Sequence, residues 1–181
     1  MHFASHKKKI AGLLAGLLLG SAAPAMAADW SEGGVGLRMG FGGQYNRATL
    51  VYETPTLWQH QFGGNWGRVE LTGELGASYW WAKGSRSPST AVQVHATPFL
   101  RWWMTERFYL EGGIGVTAFN KTRFADKTIS TAFQFGDQIG LGYAINRNSR
   151  VSVRYAHFSN ASIKRPNPGL NVVEVGYSYR F

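Results

Sequence analysis

The chain has 181 residues, a length typical of one domain. Charged residues make up only 16% of it, below the ~25% usual in soluble domains, whereas 14% are aromatic and 23 are glycine. There is no cysteine, and the mean hydropathy is −0.20. These values exclude a disulfide scaffold, a cysteine-ligated metal site, a disordered tail and a bundle of membrane helices. They fit a sheet that is apolar on one face and polar on the other.

The N-terminal segment has the pattern of a secretory signal peptide. Three lysines at 7–9 precede an apolar run over 10–19, and small residues follow as far as Ala25-Met26-Ala27. The run is too short to span a bilayer as a helix, which takes ~20 residues, although an uncleaved anchor is the alternative. We therefore predict a signal peptide at 1–27 and a single exported domain at 28–181. The formal net charge of +9 favours an anionic partner such as a phosphorylated lipid, although a merely basic soluble surface would give the same charge.

Alternation of apolar and polar residues dominates the rest of the chain, and no later segment reaches ~18 consecutive apolar residues. One face of the alternating segments carries aliphatic and aromatic side chains, and the other carries glycine, glutamate, arginine and glutamine. We predict eight strands, over 35–41, 50–52, 69–81, 92–102, 108–117, 133–143, 151–155 and 173–181.

An even number of strands with this spacing predicts an all-β fold, an eight-stranded antiparallel transmembrane outer-membrane β-barrel. Closure leaves no sheet edge without hydrogen-bond partners in lipid. A soluble eight-stranded ligand carrier, with the apolar face inside, is the rival. Aromatic residues at strand ends favour the membrane barrel, because its interfacial girdles lie there; they are Tyr79-Trp80-Trp81, Trp102-Trp103 and Tyr155. Both chain ends are then expected in the periplasm, with short inner turns such as 144–150 and longer outer loops at 83–90, 120–131 and 160–170.

Polar residues interrupt the apolar face near the outer ends of the last three strands. His157 and Ser159 continue the outward-facing stripe of the seventh strand. Asp137 breaks the stripe of the sixth strand, and Asn171 lies on the outward side just before the eighth. If the connections are symmetric, Asp137 lies opposite His157 or Ser159, and Asn171 lies opposite Ser159. The four side chains would then form one cluster on the outside of the barrel.

Such a cluster fits ester hydrolysis. A serine hydroxyl becomes an effective nucleophile when a base accepts its proton, and His157 lies two residues before Ser159 on the same strand face. The histidine needs a partner on its other ring nitrogen to fix its tautomer. The alternative is an ordinary pair of polar interfacial residues at a strand end.

The segment 157–169, His-Phe-Ser-Asn-Ala-Ser-Ile-Lys-Arg-Pro-Asn-Pro-Gly, resembles the lipid A 3-O-deacylase (PagL) family, in which the run H-[YF]-S-N-A-x-[IL]-K-x-P-N-x-G precedes the last strand. The signal peptide, the eight strands and Phe-Gly-Asp-Gln-Ile-Gly at 135–140 extend the resemblance. It implies a barrel in the bacterial outer membrane whose active site faces lipid and releases the ester-linked acyl chain at the 3 position of lipid A. The expected partners are lipid A and the outer membrane, with no cofactor, metal or nucleic acid, and a homodimer is left open.

By this resemblance Ser159 is the nucleophile and His157 the general base, with Asn160 and Asn167 in the oxyanion region. The family has a glutamate where this chain has Asn171, so Asn171 would orient His157 without supplying a negative charge.

Asp137 is a candidate for that missing charge, although a polar residue kept for barrel assembly fits equally well. Glu174 is a poorer substitute because its parity faces the lumen. Lys164 and Arg165 are candidates for contacts with lipid A phosphates, or exposed loop cations without a fixed partner. A non-catalytic outer-membrane barrel with a structural or adhesion role is the alternative function.

Overall fold

The computed structural model describes residues 32–181, so the predicted signal peptide at 1–27 lies outside the described residues. Their strands are β1 (Gly34–Phe41), β2 (Tyr45–Glu53), β3 (Trp58–Gln61), β4 (Arg68–Ala82), β5 (Thr90–Trp103), β6 (Phe108–Phe119), β7 (Arg123–Phe124), β8 (Lys127–Thr128), β9 (Phe133–Ala144), β10 (Ser149–Ser159) and β11 (Leu170–Arg180). No helix in this range is long and apolar enough to cross a membrane.

Eight of these strands form a closed antiparallel barrel. The order is β1, β2, β4, β5, β6, β9, β10 and β11, each paired with the next. The barrel closes where β11 pairs with β1, with Gly34 opposite Arg180 and Phe41 opposite Val173. The predicted eight-stranded antiparallel barrel is thus confirmed. Both ends of the described chain lie at one end of the barrel; we call the other the loop end, formed by 42–44, 83–89, 120–132 and 160–169.

Three short strands were not predicted from the sequence. β3 pairs with the first residues of β4, and β7 and β8 form a hairpin within the loop between β6 and β9. Segments of two to four residues carry too little alternation to be recognised. The second barrel strand, β2, is also longer than the predicted 50–52. The prediction missed its first half because Asn46 and Ala48, which occupy outward positions, are not large apolar residues and so break the apolar–polar alternation.

The outer face of the barrel is apolar. Large hydrophobic side chains alternate outward along every long strand, with Leu37 and Ile139 exposed to 64% and 66%. A continuous apolar surface of this kind faces lipid in a transmembrane barrel.

The lumen is filled by paired charges. Arg154 contacts Glu74 at 2.9 Å and Glu111 at 2.5 Å, and Arg101 contacts Glu111 at 2.9 Å. Arg38 also donates to Glu74. All of these side chains are buried, so each charge depends on a partner inside the barrel for its stabilisation.

Aromatic residues complete the lumen, which corrects one expectation. Trp80 and Trp103, assigned above to the interfacial girdles, are buried inside the barrel. In runs such as Tyr79-Trp80-Trp81, the period of two sends alternate members to opposite faces. Trp103 packs on Tyr109 with ring centroids 4.6 Å apart, and Trp80 belongs to a buried cluster near the loop end. That cluster includes Tyr45, Phe119, Phe124, Phe158 and Leu170.

Candidate active site on the lipid-facing rim

At the end of β10, two polar side chains point outward, and the residue between them packs into the barrel interior. His157 and Ser159 are half-buried on the outer face, whereas Phe158 is 1% exposed. The Phe158 ring packs edge-on against Trp80 at 5.6 Å, and the Arg47 guanidinium lies 4.8 Å from its centroid. The inward anchor holds the strand end on which the polar pair is mounted.

His157 is hydrogen-bonded to Asn171 on the neighbouring strand. Its Nδ1 lies 2.6 Å from Asn171 Oδ1. Because an amide oxygen only accepts, this contact requires a proton on Nδ1, so that in the neutral imidazole Nε2 carries the lone pair and can act as a base. The bond joins directly opposed residues, since His157 and Asn171 are cross-strand partners.

The predicted cross-strand partner of Asn171 was wrong by two residues. We expected it opposite Ser159, but it lies opposite His157. Leu170 is fully buried in the aromatic cluster near the loop end and is the cross-strand partner of Phe158. β11 therefore begins at Leu170, a residue that we had predicted to belong to the loop. The shift brings Asn171 within hydrogen-bond reach of the imidazole.

Asp137 lies on the other side of His157. The two are cross-strand partners, which confirms the predicted placement, and Asp137 is exposed on the outer face. Neither a hydrogen bond nor an ion pair joins their side chains within residues 32–181, and Nδ1 is occupied by Asn171. Glu174 points into the lumen, as its parity predicted, where it pairs with Arg47 at 2.7 Å.

Asn160 organises the loop that follows Ser159. Its side chain is buried, and its Nδ2 donates to the carbonyls of Ile129 at 3.2 Å and Lys164 at 2.8 Å. Its backbone N–H donates to Asn167 Oδ1 at 3.2 Å. Both amide hydrogens of Asn160 are thus directed at the protein, which favours a positioning role in the loop over direct contact with a developing oxyanion.

The Asn167 side chain has one amide donor that is not used within the described chain. Its Oδ1 accepts from Asn160, and within the described chain its Nδ2 has no hydrogen-bond acceptor. Lys164 and Arg165 are exposed at the rim of the same loop. The loop that follows Ser159 therefore offers one uncommitted amide donor and two exposed cations.

Gly169, the last residue of the motif, packs directly against the His157 imidazole. Its φ is +64°, and a Cβ there would lie 2.7 Å from His157 Cε1. Any side chain would be strained by the backbone and would also collide with the imidazole. The glycine ten residues after the serine, just before the last strand, is the sequence feature from which this close contact could have been predicted.

Among residues 32–181, no group of three or more His, Asp and Glu side chains is arranged to hold a metal ion. The polar groups of the site are thus a serine hydroxyl, an imidazole with a fixed tautomer, side-chain amides and one exposed carboxylate.

Comparisons with known proteins find relatives that match most of the chain. The family model described as Lipid A 3-O-deacylase (PagL) matches residues 39–180. A protein named Lipid A deacylase PagL from Bordetella bronchiseptica is 55% identical over 181 residues, covering all of both chains. Another protein of that name, from Pseudomonas aeruginosa, is 32% identical over 168 residues, covering 91% of this chain and 93% of its own.

A solved structure described as the outer membrane enzyme PagL superposes with a TM-score of 0.72 and 26% sequence identity, covering 82% of this chain and 99% of that one. The family model covers well over half of the chain, and both relatives are more than 30% identical over nearly all of it. The chain therefore belongs to the lipid A 3-O-deacylase (PagL) family.

Proposed function

We propose that this protein hydrolyses the ester-linked acyl chain at the 3 position of lipid A, in the outer leaflet of the bacterial outer membrane, with Ser159 as nucleophile. The observation that carries the proposal is the outward-facing pair of His157 and Ser159, with the imidazole held through Nδ1 by Asn171 at 2.6 Å. A barrel with only a structural role has no reason to place a tautomer-fixed base and a hydroxyl on its lipid face. Membership of the family, and the names of both relatives, support the same substrate.

In the first step, Ser159 Oγ attacks the ester carbonyl carbon while His157 Nε2 accepts the hydroxyl proton. The tetrahedral intermediate collapses by breaking the bond to the sugar oxygen, which takes the proton back from the imidazolium. The products of this step are an acyl-serine and lipid A with a free hydroxyl.

In the second step, a water molecule donates its proton to His157 and attacks the acyl-serine. Collapse of this intermediate releases the fatty acid and returns the proton to Ser159. Asn171 contributes orientation in both steps, because its amide oxygen holds Nδ1–H but carries no formal charge.

The developing oxyanion requires donors placed ahead of the reaction. We assign this role to Asn167 Nδ2 and to backbone N–H groups of the loop beyond Asn160, because the Asn160 N–H already donates to Asn167 Oδ1. Asn160 itself positions the loop. Lys164 and Arg165 are assigned to the lipid A phosphates, because both cations are exposed at the rim of the site.

Asp137 is assigned a supporting role as the nearest outward-facing carboxylate. Without a direct bond to His157, it acts on the imidazolium across the strand pair rather than as a triad member. Its contribution is therefore expected to be smaller than that of a directly bonded acid.

The decisive experiment is mass spectrometry of lipid A after incubation with the purified protein in detergent micelles. The wild type should release one hydroxy-acyl chain from the 3 position, and S159A should release none. S85A, at an exposed serine of the separate loop 83–89, serves as the serine control. Lack of release by the wild type would favour the non-catalytic barrel. Release by S159A at the wild-type rate would reject the serine mechanism while leaving the substrate in place.

A further inference from the structure

We propose that Tyr45, which lies inside the barrel, is a positioning residue for the His157–Asn171 pair on the outside; this inference rests on the proposed function. The contact that points to it is a hydrogen bond through the barrel wall. The backbone N–H of Asn171 donates to the Tyr45 hydroxyl at 2.9 Å.

Asn171 needs this partner because the sheet ends beside it. The ladder between β1 and β11 stops at Phe41 and Val173, and the chain then turns through Gly42, whose N–H donates to the Tyr45 carbonyl at 2.9 Å. Two residues beyond the last ladder pair, the Asn171 N–H faces the phenol instead of a strand. The hydroxyl thus replaces the missing strand and fixes the backbone from which the orienting amide projects.

The phenol is itself held rigidly. Tyr45 is 3% exposed, with its ring 5.5 Å from Trp80 and 5.6 Å from Phe124. Lys127 Nζ lies 5.9 Å from the ring centroid and donates to the Gly169 carbonyl at 3.2 Å. One lysine therefore links the tyrosine to the glycine that packs against the imidazole.

The chemistry of the site makes this support matter. Asn171 is exposed and uncharged, so its effect on His157 depends on holding one oxygen at 2.6 Å from Nδ1. Unlike attraction between charges, a hydrogen bond between neutral groups weakens steeply when its geometry drifts. The tyrosine limits that drift from the opposite face of the strand.

The test is Y45F, which removes the hydroxyl and keeps the ring in its cluster. We expect kcat to fall about fivefold, the rate equivalent of one hydrogen bond, with KM unchanged. Y109F is the matched control, because Tyr109 is also buried in the lumen but lies among the residues of the opposite end. Wild-type kcat in Y45F would overturn the proposal.

A double-mutant cycle separates positioning from general destabilisation. If Tyr45 acts through Asn171, Y45F should change kcat by less than twofold in an N171A background, where Ser159 and His157 retain measurable activity. The same loss in both backgrounds would overturn the positioning role.

Amide hydrogen exchange tests the contact without relying on activity. The Asn171 amide should exchange at least tenfold faster in Y45F, whereas the Val175 amide, within the ladder to β1, should not change. Unchanged exchange at Asn171 would reject the contact. Faster exchange in a protein whose wild type releases no fatty acid would reject the proposed function and keep the tyrosine contact.

Discussion

Replacing Asn171 by aspartate changes the charge beside His157 while nearly preserving the shape of the side chain. The wild-type contact of 2.6 Å lets a carboxylate oxygen take the place of the amide oxygen. Unit charges ~4 Å apart attract by about 1 kcal/mol in water and about 4 kcal/mol at an effective dielectric constant of 20. We take the lower value as a conservative guide, because Asn171 lies on the outer surface next to the loop end and not in the packed interior. We therefore expect the imidazolium-like transition state to gain about 1 kcal/mol and kcat to rise about fivefold.

The assay is the rate of fatty-acid release from lipid A in mixed micelles, with folding checked by heat-modifiable electrophoretic mobility. N171A should move the other way, losing about fivefold in kcat because the hydrogen bond disappears. The ranking aspartate above asparagine above alanine is the signature of an orienting residue. Wild-type rates for both variants would refute the assignment of Asn171, and a rise in N171A would refute the requirement for a fixed tautomer.

Three further predictions concern other parts of the molecule. D137N should lower kcat more than E174Q, because Asp137 lies beside His157 whereas Glu174 faces the lumen; equal kcat for both variants and the wild type would remove Asp137 from the mechanism. G169A should lower kcat at least tenfold, since its Cβ would lie 2.7 Å from His157 Cε1; unimpaired lipid A turnover would contradict that geometry. E74Q should reduce the free energy of unfolding in guanidinium by about 1.5–3 kcal/mol, since it removes the nearest counter-charge of Arg38 and one of the two acidic partners of Arg154, and an unshifted midpoint would count against this.

The architecture of the barrel was predictable because period-two alternation is imposed on every long strand by the two environments it separates. That rule also placed His157 and Ser159 outward and Glu174 inward. It worked less well where the outward residues are small or polar, as in β2, and it could not locate β3 within the connection to β4.

The positions of the candidate residues on the outer face were more predictable than their contacts. Parity brought Asp137, His157 and Asn171 to one surface, but the partner of His157 depended on a register shift caused by burial of Leu170. The support from Tyr45 crosses the barrel wall between residues separated by 126 positions, and no local pattern reports such a contact.

The filled lumen has a consequence for the water that hydrolysis consumes. Buried arginine–glutamate pairs and aromatic rings occupy the described interior, so the barrel wall behind Ser159 is backed by packed side chains. Ser159 is the last residue of its strand, and the exposed part of the loop begins two residues later. Under the proposed mechanism, water for the second step would therefore come from the aqueous side of the loop, while the acyl chain would be held on the lipid side. For that mechanism, the depth at which the barrel sits in the membrane would set the balance between acylation, which needs lipid contact, and deacylation, which needs water.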